Sequence, residues 1–126
     1  MAPKDTKKAV LIIEDDQALV AILKEKLDEI DVAVDSADTG QQALNKVKAS
    51  APNLILLDIM LPGGMNGFDV LEQLKANSIH KAIPVIVLTN LDTEQKTALD
   101  IGAVDYVVKT NISLDEVVLK IKNNLQ

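Results

Sequence analysis

Short apolar segments alternate with longer amphipathic segments along the chain. The first apolar segment, residues 9–13, is continuous, which is typical of a strand buried on both faces of a sheet. It is followed by Leu19, Leu23, Leu27 and Ile30, whose spacing places them on one face of a helix. The same change of period recurs to the end of the chain, and it predicts an α/β fold of five strand and helix units.

The other elements are predicted from the same signals. Strands are expected over residues 32–36, 53–57, 85–88 and 105–108, and helices over residues 39–50, 68–74 and 92–101 and from residue 113 onward. Ser113 and Glu116 have the spacing of a capping box, and Gly102 ends the fourth helix. Short connections favour a doubly wound parallel sheet over a barrel, which needs about eight units.

Composition limits the classes of function. The 126 residues suffice for a single domain, 1–126, in which residues 1–7 are expected to form a flexible N-terminus and no output domain is expected. A formal net charge of -6 argues against nucleic acid as a partner. The absence of Cys excludes a disulfide framework and a Cys-based zinc site. Because the apolar segments are too short to cross a bilayer, we expect a cytoplasmic protein with no membrane partner.

Acidic side chains follow two of the predicted strands. Glu14, Asp15 and Asp16 come after the first strand and Asp58 after the third, so these carboxylates converge if the two strands are neighbours. Carboxylates in close proximity raise each other's pKa or bind a cation, and their hard oxygen atoms suit Mg2+. Taken alone, the acidic triplet is more typical of a helix N-cap than of a metal site, and that interpretation stays open.

Two further polar residues end strands on the same edge of the predicted sheet. Thr89 ends the fourth strand and Lys109 follows the fifth, so a hydroxyl and an ammonium group are expected to face the acids. Each alone is more typical of a turn or of a solvated surface. Together with Asp58 they supply a carboxylate nucleophile, a hydrogen-bond donor and a cation, which are the groups that phosphoryl transfer requires.

Four segments carry a resemblance to a known family: LIIEDD at 11–16, LILLDIMLPGGMNG at 54–67, VIVLTN at 85–90 and IGAVDYVVK at 101–109. On these segments the chain resembles the response-regulator receiver domains of two-component signalling. The resemblance implies a flavodoxin-like fold with strand order 2-1-3-4-5 and five helices. It also implies a signalling switch or phosphorelay module that catalyses only its own phosphorylation and dephosphorylation, and so is not an enzyme acting on an external substrate.

By the same resemblance, Asp58 is the phosphoacceptor, and its donor is the phosphohistidine of a histidine kinase or of a histidine phosphotransfer protein. The resemblance implies Mg2+ as the cofactor, bound directly by Asp15 and Asp58, through water by Glu14, and by the backbone carbonyl of Met60. Asp16 lies outside this set and is assigned to the cap of the first helix.

The resemblance further implies that Thr89 and Lys109 bind the phosphoryl group and that Tyr106 is an aromatic switch. The alternative for Tyr106 is a sheet-edge aromatic whose hydroxyl lies in water. The surface formed by helix four, strand five and helix five is expected to bind a downstream protein or a second copy of the chain. Three cations are plausible contacts on that surface: Lys96, Lys120 and Lys122. His80 is left without a role.

The sequence departs from the family pattern near the site. Thr110 follows Lys109 where the family commonly has a proline in a cis bond, so the geometry of this bond stays open. The segment at residues 62–67 contains an additional glycine, and Asn90 stands where a small residue is commoner. With Met60 and Leu91, Asn90 flanks the acceptor, and we expect a long-lived phosphorylated form.

Three alternatives remain at this point. A receiver-like binding scaffold that signals without phosphorylation would follow if Asn90 or Thr110 disabled the site. A phosphatase of the haloacid-dehalogenase kind needs a second Asp two residues after the nucleophile, where this chain has Met60. A flavodoxin-like electron carrier needs a phosphate-binding loop after the first strand, and the acids at residues 14–16 would repel that phosphate.

Overall fold

The computed structural model describes residues 7–125, and it contains five strands and five helices. The strands are β1 (Ala9–Ile13), β2 (Ala33–Ala37), β3 (Leu54–Leu57), β4 (Val85–Thr89) and β5 (Asp105–Val108). The helices are α1 (Gln17–Asp28), α2 (Gly40–Ala49), α3 (Gly67–Ala76), α4 (Gln95–Ile101) and α5 (Leu114–Asn123). A single turn of 3-10 helix, Lys109–Asn111, connects β5 to α5.

The strands are parallel and lie in the order β2-β1-β3-β4-β5, which confirms the predicted doubly wound sheet. The register pairs Ile13 with Leu57, and Leu57 with Val87. Because β1 and β3 end level with each other, the residues that follow them lie side by side. The carboxyl ends of all the strands therefore form one edge of the sheet, where ligands of such folds bind.

Each strand contributes alternate side chains to two hydrophobic clusters, one on each face of the sheet. Leu11, Ile13 and Ile55 pack with residues of α2, α3 and α4 on one face. Val10 and Ile12 pack with residues of α1 and α5 on the other. Burial on both faces explains why these strands have continuous apolar sequences. The central strands are consequently rigid supports for the residues at their carboxyl ends.

Several predicted boundaries need correction. Helix α1 ends at Asp28, so Ile30 lies beyond it and is 38% exposed, although its spacing had placed it on the buried face. The chain turns there because Asp31 adopts a φ of 64°, a left-handed conformation. Helix α4 begins at Gln95, later than the predicted residue 92, and its N-cap residue Glu94 forms no side-chain cap hydrogen bond.

The ends of the remaining helices follow their capping residues. Thr39 caps α2, and Ser113 caps α5 through the predicted capping box with Glu116. Strand β2 is shifted by one residue from the predicted range, and β4 extends to Thr89. No helix within residues 7–125 is long and apolar enough to span a bilayer. The predicted flexible N-terminus lies, except for its last residue, outside the described residues.

Candidate functional site

Asp58 lies directly after β3 and is held by hydrogen bonds on its backbone and on both carboxylate oxygens. Its backbone N–H donates to the carbonyl oxygen of Ile13 at 3.0 Å. Its Oδ1 accepts from the backbone N–H of Met60 at 3.0 Å, and its Oδ2 accepts from Nζ of Lys109 at 3.0 Å. The carboxylate is buried and has a fixed orientation. Its fixed position at the edge of the sheet is one that suits a nucleophile.

Lys109 connects two buried carboxylates. Its Nζ lies 2.7 Å from Oε1 of Glu14 and 3.0 Å from Oδ2 of Asp58. Desolvation lowers the pKa of the Lys109 ammonium, but hydrogen bonds to Glu14 and Asp58 outweigh this effect and raise the pKa above its ordinary value. Burial raises the pKa of the Glu14 carboxyl, and the hydrogen bond from Lys109 offsets only part of that increase. The ammonium group thus stays charged between the two acids.

Glu14, Asp15 and Asp58 form a potential metal site. Each offers one carboxylate oxygen, and these three atoms lie within 4.8 Å of one another. Glu14 and Asp58 are buried, whereas Asp15 is exposed. The ammonium group of Lys109 contacts two of these three carboxylates, so the cluster keeps an excess of negative charge that a divalent cation would neutralise. The oxygen donors and the partly open geometry fit Mg2+, which retains several of its waters when it binds.

Asp16 has a different role from its acidic neighbours. Its Oδ1 accepts hydrogen bonds from the backbone N–H groups of Ala18 at 3.1 Å and Leu19 at 3.2 Å. These contacts make it the N-cap of α1, which confirms the assignment from sequence. Its own N–H donates to Oε2 of Glu14 at 3.1 Å, so the cap also orients the buried acid.

Thr89 and Tyr106 meet at the segment that follows β4. Thr89 is fully buried, and its Oγ1 accepts from the backbone N–H of Leu91 at 3.4 Å. The Tyr106 hydroxyl donates to the carbonyl oxygen of the same Leu91 at 2.5 Å, and Tyr106 is only 8% exposed. The alternative that its hydroxyl lies in water is therefore wrong. Burial raises the pKa of this phenol.

This geometry agrees with comparisons to known proteins. A model of the response regulator receiver domain family matches residues 10–122. The chain belongs to this family. Membership in this family favours the receiver interpretation over the phosphatase and electron-carrier alternatives.

Relatives of this receiver domain include longer proteins. The alkaline phosphatase synthesis transcriptional regulatory protein PhoP of Bacillus subtilis is 34% identical over 104 residues, which are 81% of this chain and 42% of that protein. The chain spans about half the length of the curated relatives it matches, 52% in the case of the response regulator ArlR of Staphylococcus saprophyticus. The functions of the unmatched half of these relatives are therefore not assigned to this domain.

Solved structures share the fold of this receiver domain over nearly its whole length. The receiver domain of the Francisella response regulator 1452 is 27% identical with a TM-score of 0.86, covering 94% of this chain and 97% of that chain. The phosphorylated cyanobacterial phytochrome response regulator RcpA is 27% identical with a TM-score of 0.79, covering 94% of this chain and 91% of that chain.

The departures from the family pattern leave the receiver site assembled. The bond between Lys109 and Thr110 is trans, and Lys109 still reaches Asp58. Gly63 and Gly64 have φ values of 91° and 85°, a region in which glycine is favoured, so the additional glycine is accommodated without strain.

Two features of the receiver site were missed by the sequence analysis. Lys109 was expected to face the acids as a group, and its shorter contact is with Glu14. Gly67 was placed only in the segment at residues 62–67, whereas it is the first residue of α3 and packs against the backbone of Asp58. The first contact depends on the side-chain conformation of Lys109, for which the sequence has no signal. The second has no sequence signal beyond the glycine itself.

Proposed function

We propose that this receiver domain is a phosphoacceptor switch or phosphorelay module that takes a phosphoryl group onto Asp58 in a Mg2+-dependent reaction. The convergence of Glu14, Asp15, Asp58 and Lys109 beyond the ends of β1, β3 and β5 is the observation that carries this proposal. The structural relative RcpA, described in a phosphorylated form, supports it. The donor is the phosphohistidine of a histidine kinase or of a histidine phosphotransfer protein.

In the proposed step a carboxylate oxygen of Asp58 attacks the phosphorus atom. A P–O bond forms while the P–N bond of the donor breaks, and the departing imidazole keeps the electron pair of that bond. Lys109 and the Thr89 hydroxyl donate to the phosphoryl oxygens, where negative charge is concentrated. The domain catalyses only its own phosphorylation and dephosphorylation, so we do not class it as an enzyme acting on an external substrate.

Glu14, Asp15, Asp58 and the backbone carbonyl of Met60 would hold Mg2+ in this reaction. When bound, Mg2+ would neutralise the charge of the acids and of the incoming phosphoryl oxygens. Met60 is 55% exposed, and its own backbone N–H already donates to Asp58. A role for the Met60 carbonyl therefore requires no contribution from its side chain.

The proposed output surface consists of α4, β5 and α5. Tyr106 links this surface to Thr89 through Leu91, so a movement of Thr89 toward a phosphoryl group changes the packing beside α4. Lys96 forms an ion pair with Asp100 at 2.8 Å, and Lys120 forms one with Asp105 at 2.7 Å. A partner on this surface must therefore compete with pairs inside the domain.

A downstream protein or a second copy of the chain is the proposed partner of this surface. The net charge of -6 disfavours direct contact of the domain with nucleic acid, and that exclusion stays a prediction for the domain alone. The PhoP relative is named a transcriptional regulator and is more than twice as long as the matched region. We propose the cytoplasm as the location, because the proposed phosphohistidine donors act there.

The test is the intact mass of the protein after incubation with acetyl phosphate, with and without Mg2+. We expect a single added phosphoryl group on the wild-type chain in the presence of Mg2+ and none on Asp58→Asn. Addition to Asp58→Asn at the wild-type rate would contradict the assignment of the acceptor. No addition to either protein, in folded samples that bind Mg2+, would favour the phosphorylation-independent scaffold.

A further inference from the structure

Gly67 is the first residue of α3, and it lies against the peptide that joins Asp58 to Ile59. Its backbone N–H donates to the carbonyl oxygen of Ile59 at 2.8 Å. A Cβ atom added at Gly67 would lie 2.6 Å from Cα of Ile59 and 3.0 Å from the carbonyl carbon of Asp58, and closest of all to the Asp58 carbonyl oxygen. Side chains do not approach backbone atoms this closely, so any other residue must displace the acceptor peptide.

The reason for glycine at this position is spatial. Gly63 and Gly64 require glycine because their φ values are positive, whereas Gly67 is not in that conformational region. Gly40 is also the first residue of a helix and is also buried, but its added Cβ would meet the side chains of Met65 and Val70. The flexible Met65 side chain can shift, and a movement of Val70 displaces a side chain and not the acceptor backbone. Gly67 alone among the five glycines lies against the backbone of the acceptor.

The acceptor peptide is fixed from both sides. On one side the N–H of Asp58 donates to Ile13 of β1. On the other side is the start of α3, which a capping box between Asn66 and Asp69 holds in place through two hydrogen bonds of 3.0 Å. A displacement of the peptide therefore has to be absorbed by Asp58 itself, because neither β1 nor the capped helix yields easily.

We propose that Gly67 is a positioning residue for phosphoryl transfer. Because Gly67 has no side chain, the first turn of α3 packs directly against the peptide that joins Asp58 to Ile59. This packing orients the Asp58 carboxylate toward the N–H of Met60 and the ammonium group of Lys109. This role rests on the proposed function of Asp58 as the phosphoacceptor. A shift of roughly 1 Å at a reacting group can lower a rate on the order of 100-fold, and the clash at Gly67 demands a shift of about that size.

The experiment compares Gly67→Ala with Gly40→Ala, which makes the same change at the same helix position but against side chains. Phosphorylation by acetyl phosphate is followed by intact mass at saturating Mg2+, and rates are corrected for the folded fraction. We expect Gly67→Ala to lower the saturating rate roughly 100-fold. The acetyl phosphate concentration at half-saturation should stay unchanged, because Gly67 lies against the backbone of Asp58 and not against Lys109 or Thr89, which bind the phosphoryl group. Gly40→Ala should keep a rate close to that of the wild type, even where its melting temperature falls.

Equal corrected rates for Gly67→Ala and Gly40→Ala would overturn the proposal. If Gly67→Ala does not fold, amide hydrogen exchange in the wild-type chain tests the proposal instead. We expect the Gly67 amide to be protected to the same degree as the amides of β3, and the amide of the exposed Gly63 to exchange rapidly. Rapid exchange at Gly67 would also overturn the proposal. Failure of the wild-type chain itself to take up a phosphoryl group would instead contradict the proposed function, a separate result.

Discussion

The hydroxyl of Tyr106 donates a hydrogen bond to the carbonyl oxygen of Leu91 at 2.5 Å, and this contact joins β5 to the segment that follows β4. The N–H of the same Leu91 donates to Oγ1 of Thr89. One residue of the connecting segment is thus bonded through its carbonyl to the aromatic side chain and through its amide to the site hydroxyl. Thr89 cannot move without disturbing a group that Tyr106 also holds.

Tyr106→Phe should lower the free energy of unfolding by about 1 to 2 kcal/mol, because the Leu91 carbonyl loses its donor while the buried ring is kept. The phosphorylation rate should change little, since the hydroxyl does not contact Asp58 or Lys109. Urea denaturation measures the first effect and the intact-mass assay the second. A variant as stable as the wild type would show that the hydrogen bond contributes nothing to the folded state.

The pKa of Tyr106 predicts how stability depends on alkaline pH. Burial, followed by the negative charges of Glu94, Asp92 and Asp58, raises the pKa of the phenol in the folded chain. The folded state therefore holds the phenol proton more tightly than the unfolded state does. The contribution of the protonated Tyr106 to the free energy of unfolding is fully present below the unfolded pKa of about 10, and it is lost as the pH rises through the folded pKa. Tyr106 is the only Tyr in the chain, so phenolate absorbance reports its titration alone. A titration at or below the ordinary pKa would contradict this prediction.

The fold was largely predictable from the sequence, and the reasons are local. Residues 9–13 are apolar throughout because both faces of β1 are buried, and Ser113 with Glu116 forms the expected capping box. The end of α1 was not predictable, because it depends on the left-handed conformation of Asp31, a residue that favours it only weakly. The late start of α4 likewise lacks a capping signal at Glu94.

The candidate site was predictable as a set of residues but not as a set of contacts. The ends of parallel strands lie at one edge, so Asp58, Thr89 and Lys109 could be placed together from their positions alone. The choice of Lys109 between Glu14 and Asp58 depends on side-chain conformation, which has no periodic pattern in the sequence. The close approach of Gly67 depends on how α3 packs, and it became visible only in the structure.

Lys109→Met should destabilise the chain by about 3 to 5 kcal/mol, because Glu14 and Asp58 then face each other as buried acids without their shared cation. Addition of Mg2+ should raise the melting temperature of this variant more than that of the wild type. Lys96→Met is the matched control, because its ion pair with Asp100 is exposed and should contribute little. Equal effects of the two substitutions would contradict a special role for Lys109.

Asp15 and Asp16 are adjacent acids, and we predict that substitution of one changes the Mg2+ requirement while substitution of the other changes the stability. Asp16→Ala should lower the free energy of unfolding by about 1 kcal/mol, because α1 loses its N-cap, and it should leave the Mg2+ requirement unchanged. Asp15→Asn should keep the stability and raise the Mg2+ concentration needed for half-maximal phosphorylation. Urea denaturation and a Mg2+ titration of the phosphorylation rate separate the two residues. A raised Mg2+ requirement in Asp16→Ala would place that residue in the metal site.

The lifetime of the phosphorylated form should depend on the side chain of Met60. Met60 is more than half exposed, and its backbone N–H donates to the acceptor carboxylate, so we expect its side chain to limit the access of water to Asp58. Met60→Ala should shorten the half-life of the acyl phosphate several-fold, since removal of an apolar group admits water more easily. The loss of phosphorylated mass after removal of acetyl phosphate measures this rate. Met65→Ala changes the same residue type in a side chain that packs against the core, and should leave the half-life unchanged in the folded fraction. An equal shortening in both variants would assign the effect to disturbance of the loop rather than to access of water.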